Sequence, residues 1–66
     1  MKNRLKIARA ELDITQEELA KRIGVSRQTI NAVESARYVP SKVLALKMAQ
    51  VFRKSVEEIF MLEDED

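Results

Sequence analysis

The sequence predicts an all-α fold of five short helices, and three observations carry that prediction. The chain has a single glycine and a single proline, so its turn signals are few. Its apolar residues recur at spacings of three and four rather than in alternation. Thr15, Ser26, Ser41 and Ser55 stand just ahead of such runs, where a hydroxyl accepts from the unpaired N–H groups of a helix start.

Leu5, Ala8 and Leu12, at i, i+3 and i+7, give the first helix its inward face. Thr15 opens the second, Glu18 three residues on completes a capping box, and Leu19, Ala20 and Ile23 form the apolar stripe. Gly24 stops that helix, because glycine readily takes the left-handed conformation that closes many helices. Ser26 caps the third helix, whose buried positions are Ile30 and Val33, leaving Arg27, Gln28, Asn31, Ala32 and Ser35 on other faces. Pro40 breaks the pattern and Ser41 caps a fourth helix, lined on one side by Leu44, Met48, Val51 and Phe52. Ser55 and Glu58 make another capping box, opening a last short helix with Val56, Ile59 and Phe60 inward. Residues 60–62 can also form a short strand against Met1 and Lys2. No repeat or linker intervenes, so residues 1–62 are expected to form one domain, followed by an acidic tail at 63–66.

Composition removes several classes of function. At 66 residues the chain is near the lower limit for a domain without cross-links, and it leaves no room for a small-molecule sensing domain. Without cysteine or histidine it offers no disulfide, thiolate nucleophile, imidazole base or usual zinc ligand, and no cofactor is expected. Its carboxylates sit at caps and in the tail rather than converging, and no glycine-rich phosphate loop is present, which argues against an enzyme. No apolar run approaches the roughly 20 residues that span a bilayer, and no signal-peptide pattern opens the chain. A cytoplasmic protein without a membrane partner is expected.

The net charge of +1 conceals an asymmetry. All twelve basic residues lie within residues 1–56 beside five acidic ones, whereas six of the eleven acids follow. A basic body with an acidic end fits a polyanionic partner, and equally fits ordinary solvated charge on a small domain.

The second and third helices are joined only by Gly24 and Val25 ahead of the Ser26 cap. So short a connection, with glycine at the bend, is what a helix-turn-helix needs for two helices to cross steeply while staying packed. The stretch "TQEELAKRIGVSRQTINAVE" resembles the DNA-binding core of the Cro/cI-type (XRE-type) helix-turn-helix regulators, and "YVPSKVLALKMAQVFRKSVEEIF" resembles the remaining two helices of their compact single-domain members. The resemblance covers residues 3–60. It implies a five-helix, lambda-repressor-like DNA-binding domain, with the helix-turn-helix in helices 2 and 3, that binds double-stranded operator DNA as a symmetric homodimer.

By family position, Arg27, Gln28, Asn31 and Ala32 face base edges. Their chemistry suits that role, because arginine pairs with guanine O6 and N7, glutamine or asparagine with adenine N6 and N7, and an alanine methyl meets that of thymine. Arg27 is otherwise misplaced, since the start of a helix carries partial positive charge. Gln16 at the start of helix 2, with Thr15, Ser26, Thr29, Ser35, Arg37 and Tyr38, are the expected phosphate contacts. Capping alone also accounts for Thr15 and Ser26.

The resemblance further implies a partly buried pair between Arg9 and Glu34, holding helix 3 to the body. Ala36 and Arg53 stand where the family commonly has glycine or asparagine, and Lys42 where it has an apolar residue. Either helix 3 ends differently or Ala36 accepts strain. One small helix in one groove makes too few contacts for specificity, so a homodimer is expected, with Leu46, Phe60, Met61 and Leu62 as apolar surface for its interface. A repressor is the default function. The alternative is an antitoxin-like or adaptor protein that uses the same fold to bind a protein partner.

Overall fold

The computed structural model describes residues 1–64 and bears out the five helices. In chain order the elements are β1 (Lys2–Asn3), α1 (Leu5–Leu12), α2 (Gln16–Ile23), α3 (Arg27–Glu34), α4 (Lys42–Phe52), α5 (Val56–Ile59) and β2 (Phe60–Met61). The two short strands pair antiparallel, Lys2 opposite Met61 and Asn3 opposite Phe60, one residue along from the pairing expected with Met1 and Lys2.

Every expected cap forms. Thr15 and Glu18 close one capping box and Ser55 and Glu58 another, while Ser26 and Ser41 accept from the N–H groups of Thr29 and Leu44 at 3.2 Å each. The Glu58 carboxylate, bonded chiefly by the Ser55 N–H, is held below its ordinary pKa. A single core gathers Leu5, Ala8, Ile14, Leu19, Ala20, Ile23, Ile30, Val33, Leu44, Met48, Phe52 and Ile59. It lies beneath α3, so the inner side of that helix is fixed by packing and its outer side is free.

Two expectations need correction, and one open alternative is resolved. Leu12, the last residue of α1, is 44% exposed. The chain turns at Asp13 (φ 55°), and Ile14 beyond the turn fills the core place instead. Phe60 is inward, as its spacing suggests, but in β2 rather than in a helix. At 7% exposure it closes the protomer's own core and offers no surface to a dimer interface. Helix 3 does not avoid strain at its end: Ala36 is left-handed at φ 62°, as is Arg53 at φ 54°. Of the acidic tail, Glu63 and Asp64 are exposed, and Glu65 and Asp66 lie outside the described residues.

Candidate nucleic-acid interface

The turn between α2 and α3 is built from backbone hydrogen bonds. The N–H groups of Gly24 and Val25 both donate to Ala20 O, at 2.8 and 3.0 Å, which requires Gly24 to be left-handed (φ 89°). Val25 packs against the core edge, and Ser26 starts α3 at once. Ile30 and Val33 are buried from this helix, so rotation about its axis is fixed and Arg27, Gln28 and Asn31 are exposed together.

The structure brings the four expected base-facing residues onto one shallow concave patch, and Arg37 lines it with them. Arg37 Nη2 donates to Asn31 Oδ1 at 2.8 Å and its Nε donates to Ser35 Oγ at 2.9 Å. Asn31 Nδ2 donates in turn to Gln16 Oε1 at 3.5 Å, which ties the start of α2 to the middle of α3. Among the described residues, neither Arg27 nor Gln28 has a side-chain hydrogen bond, so their donors and acceptors face solvent.

The expected phosphate contacts are divided between two sites. Gln16, Ser35 and Arg37 adjoin the concave patch through Asn31. Thr29 and Tyr38 line a separate groove with Val43 and Lys47. Thr15 and Ser26 are occupied as caps, and the Ser26 hydroxyl also pairs with that of Thr29 at 3.0 Å.

The chain resembles known proteins both in sequence and in fold. A model of the helix-turn-helix family matches residues 5–59. An uncharacterized HTH-type transcriptional regulator of Methanocaldococcus jannaschii is 53% identical over 66 residues, covering all of both chains. An uncharacterized HTH-type regulator of Bacillus subtilis, YgzD, is 46% identical over the same span, again covering all of both. The chain belongs to the XRE-type helix-turn-helix family. Among solved structures, the P22 c2 repressor in complex with a synthetic operator has a TM-score of 0.78 at 28% identity, covering 82% of each chain. The fold is thus that of a lambda-repressor-like DNA-binding domain, and α2 and α3 are its helix-turn-helix.

Within this helix-turn-helix, α3 is secured at its far end by two contacts. The expected ion pair forms: Arg9 Nε donates to Glu34 Oε2 at 2.8 Å and Nη2 to Oε1 at 3.0 Å, with side chains only 15% and 8% exposed. Arg9 Nη1 also donates to Ile14 O at 3.0 Å, so one guanidinium joins α1, the α1–α2 turn and α3. The second contact was not foreseen from sequence. Asn3 Nδ2 donates to Val33 O at 2.9 Å while Asn3 Oδ1 accepts from the Leu5 N–H at 3.1 Å. Asparagine ahead of an apolar run does signal a local cap at Leu5. Nothing in the chain order signals its reach to a carbonyl thirty residues away.

Proposed function

We propose that the chain is a sequence-specific transcriptional regulator, acting as a repressor that binds a pseudo-palindromic operator as a homodimer. The observation that carries this reading is the division of α3, with Ile30 and Val33 buried and a polar, short-armed face of Arg27, Gln28, Asn31 and Ala32 turned outward. Such a face fits the major groove, where each base pair presents a distinct pattern of donors and acceptors. Arg27 and Gln28, free of internal side-chain partners among the described residues, contact base edges directly, and the Ala32 methyl packs on that of a thymine. Thr15, Gln16, Ser26, Thr29, Ser35 and Tyr38 position the domain on the phosphates. The P22 c2 repressor, solved with a synthetic operator, supports the mode of binding by analogy of fold.

Two copies place their α3 helices about 34 Å apart, one turn of DNA. Leu46 and Leu62, exposed, and Met61, half-buried, supply apolar surface for that contact, now without Phe60. Repression follows from occupying a promoter. The protein works in the cytoplasm, where the DNA is, and no helix among the described residues is long and apolar enough to cross a membrane.

The test is selection of bound duplexes from random DNA, with affinity measured at several salt concentrations and the mass of the bound species determined. The expected result is a two-fold-related site, a dimer on it, and a steep loss of affinity with salt as phosphate contacts release counterions. Enrichment of no sequence would overturn this reading in favour of the adaptor role.

A further inference from the structure

We propose that Arg37, although outside α3, reads a base edge, and that Asn31 is the positioning residue that aims it rather than a reader itself. This inference rests on α3 being the helix that enters the groove. It starts from the way α3 ends. Ala36 is left-handed, its N–H donates to Val33 O at 3.0 Å, and the Arg37 N–H donates to Ala32 O at 2.9 Å. In this closure the residue after the left-handed one folds back over the preceding turn of the helix, usually with an apolar contact.

At the ends of α1 and α2 the same place is taken by Ile14 and Val25, which pack into or against the core. At the end of α3 it is taken by an exposed arginine. The backbone therefore carries Arg37 back across Asn31 and Ala32, into the patch that also holds Arg27 and Gln28.

The side chain is then fixed by its own hydrogen bonds. Nε donates to Ser35 Oγ and Nη2 to Asn31 Oδ1, so one edge of the guanidinium is taken up by the protein. Nη1 has no partner among the described residues, which leaves the Nη1/Nη2 edge as a two-donor fork. That fork matches guanine O6 and N7, and holding it in advance lowers the ordering cost of using it. The fork would also fit a phosphate, but its restraints direct it into the patch shared with Arg27 and Gln28 rather than away from it.

Asn31 meanwhile is engaged by its neighbours on both atoms of its amide. Pairing with adenine needs Oδ1 to accept and Nδ2 to donate to the same base. Oδ1 already accepts from Arg37 and Nδ2 points to Gln16.

The experiment measures binding of the full chain and of Arg37→Ala, Arg37→Lys, Asn31→Ala and the Asn31→Ala/Arg37→Ala double variant to every single-base substitution of the selected operator. Arg37→Ala is expected to lower discrimination at one G·C pair of each half-site by roughly 5- to 150-fold, as for one bidentate contact. Arg37→Lys, which keeps the charge but not the fork, should lose most of that discrimination while retaining affinity for the other sequences. Asn31→Ala should lose discrimination at the same base pair, and the double variant should lose no more than Arg37→Ala. Melting temperatures of the exposed-site variants should match the unsubstituted chain.

Uniform weakening on all sequences by Arg37→Ala, with a smaller salt slope, would assign Arg37 to phosphate and overturn the inference. So would a change of preference at a different base pair in Asn31→Ala. If the unsubstituted chain selects no sequence, the regulator reading itself fails. If it selects one and these variants keep its base preferences, only this inference fails.

Discussion

The ends of α2 and α3 close in the same way and are made to do so by different means. After α2 the left-handed residue is Gly24, and the closure follows from local chemistry alone, since a Cβ placed there would meet nothing within 4 Å. After α3 the left-handed residue is Ala36, which bears a steric penalty at φ 62°, and the closure is enforced from outside. Asn3 bonds to Val33 O and Arg9 grips Glu34. The start of α3 is thus written in the turn sequence, whereas its end is imposed by α1 and β1. The side that the body controls is also the side from which Arg37 enters the concave patch.

Breaking the external restraint should have the largest effect. Glu34→Ala leaves the Arg9 guanidinium, 15% exposed, without its carboxylate and with only the Ile14 carbonyl to accept from it among the described residues. Loss of one partner of a buried pair costs about 3 kcal/mol at the low end of its range. For a domain of this size that corresponds to a fall in Tm on the order of 10–20 °C by calorimetry. DNA affinity should fall with it, because the end of α3 is no longer held. An unchanged Tm would show that Asn3 and packing suffice, and the contrast between the two helix ends would lose its main support.

The two left-handed residues provide the next test, because exchanging them should give effects of opposite sign. Gly24→Ala introduces no clash, so its cost is that of backbone conformation alone, roughly 1–2 kcal/mol. Ala36→Gly removes a similar strain but gives the unfolded chain more freedom, for a net gain of about 0.5–1 kcal/mol. Denaturant melts of both variants should therefore move in opposite directions. If Ala36→Gly destabilises the domain, the strain at that position is smaller than its φ of 62° implies.

Most of the fold was legible because it is local. The caps at Thr15, Ser26, Ser41 and Ser55 and the stripes through Leu19, Ile23, Ile30, Val33 and Met48 are short-range patterns with a fixed period, and each forms as read. Leu12 failed because periodicity carries no information on where a helix turns away from the core; the left-handed Asp13 hands that place to Ile14. Arg9 and Glu34 could be paired through family resemblance alone, since twenty-five residues separate them. Asn3 was missed for the same reason without that help. The residues of the outward α3 face were legible as a group through the motif, but whether a polar side chain among them is free or already bonded depends on its neighbours in space. Asn31 and Arg37, six residues apart around a left-handed turn, are the instance.

The smallest expected effect concerns the arginine at the start of α3. Arg27 is the first residue of that helix, exposed and without a hydrogen-bond partner among the described residues, so its charge faces the positive end of the helix dipole unrelieved. An exposed charge of the unfavourable sign there costs a few tenths of a kcal/mol, up to about 1 at low ionic strength, and alanine is the better helix former. Arg27→Ala should accordingly leave the free protein as stable or raise its Tm by a few degrees, with the difference shrinking as salt is added. On the proposed mode of binding the sign reverses in complex with DNA: the negative potential of the groove would remove the penalty, and the variant should lose affinity and base preference at one position of each half-site. A residue that stabilises only the bound state separates recognition from folding. Were Arg27→Ala instead to destabilise the free domain, Arg27 would belong with Glu34 among the residues that hold α3 in place.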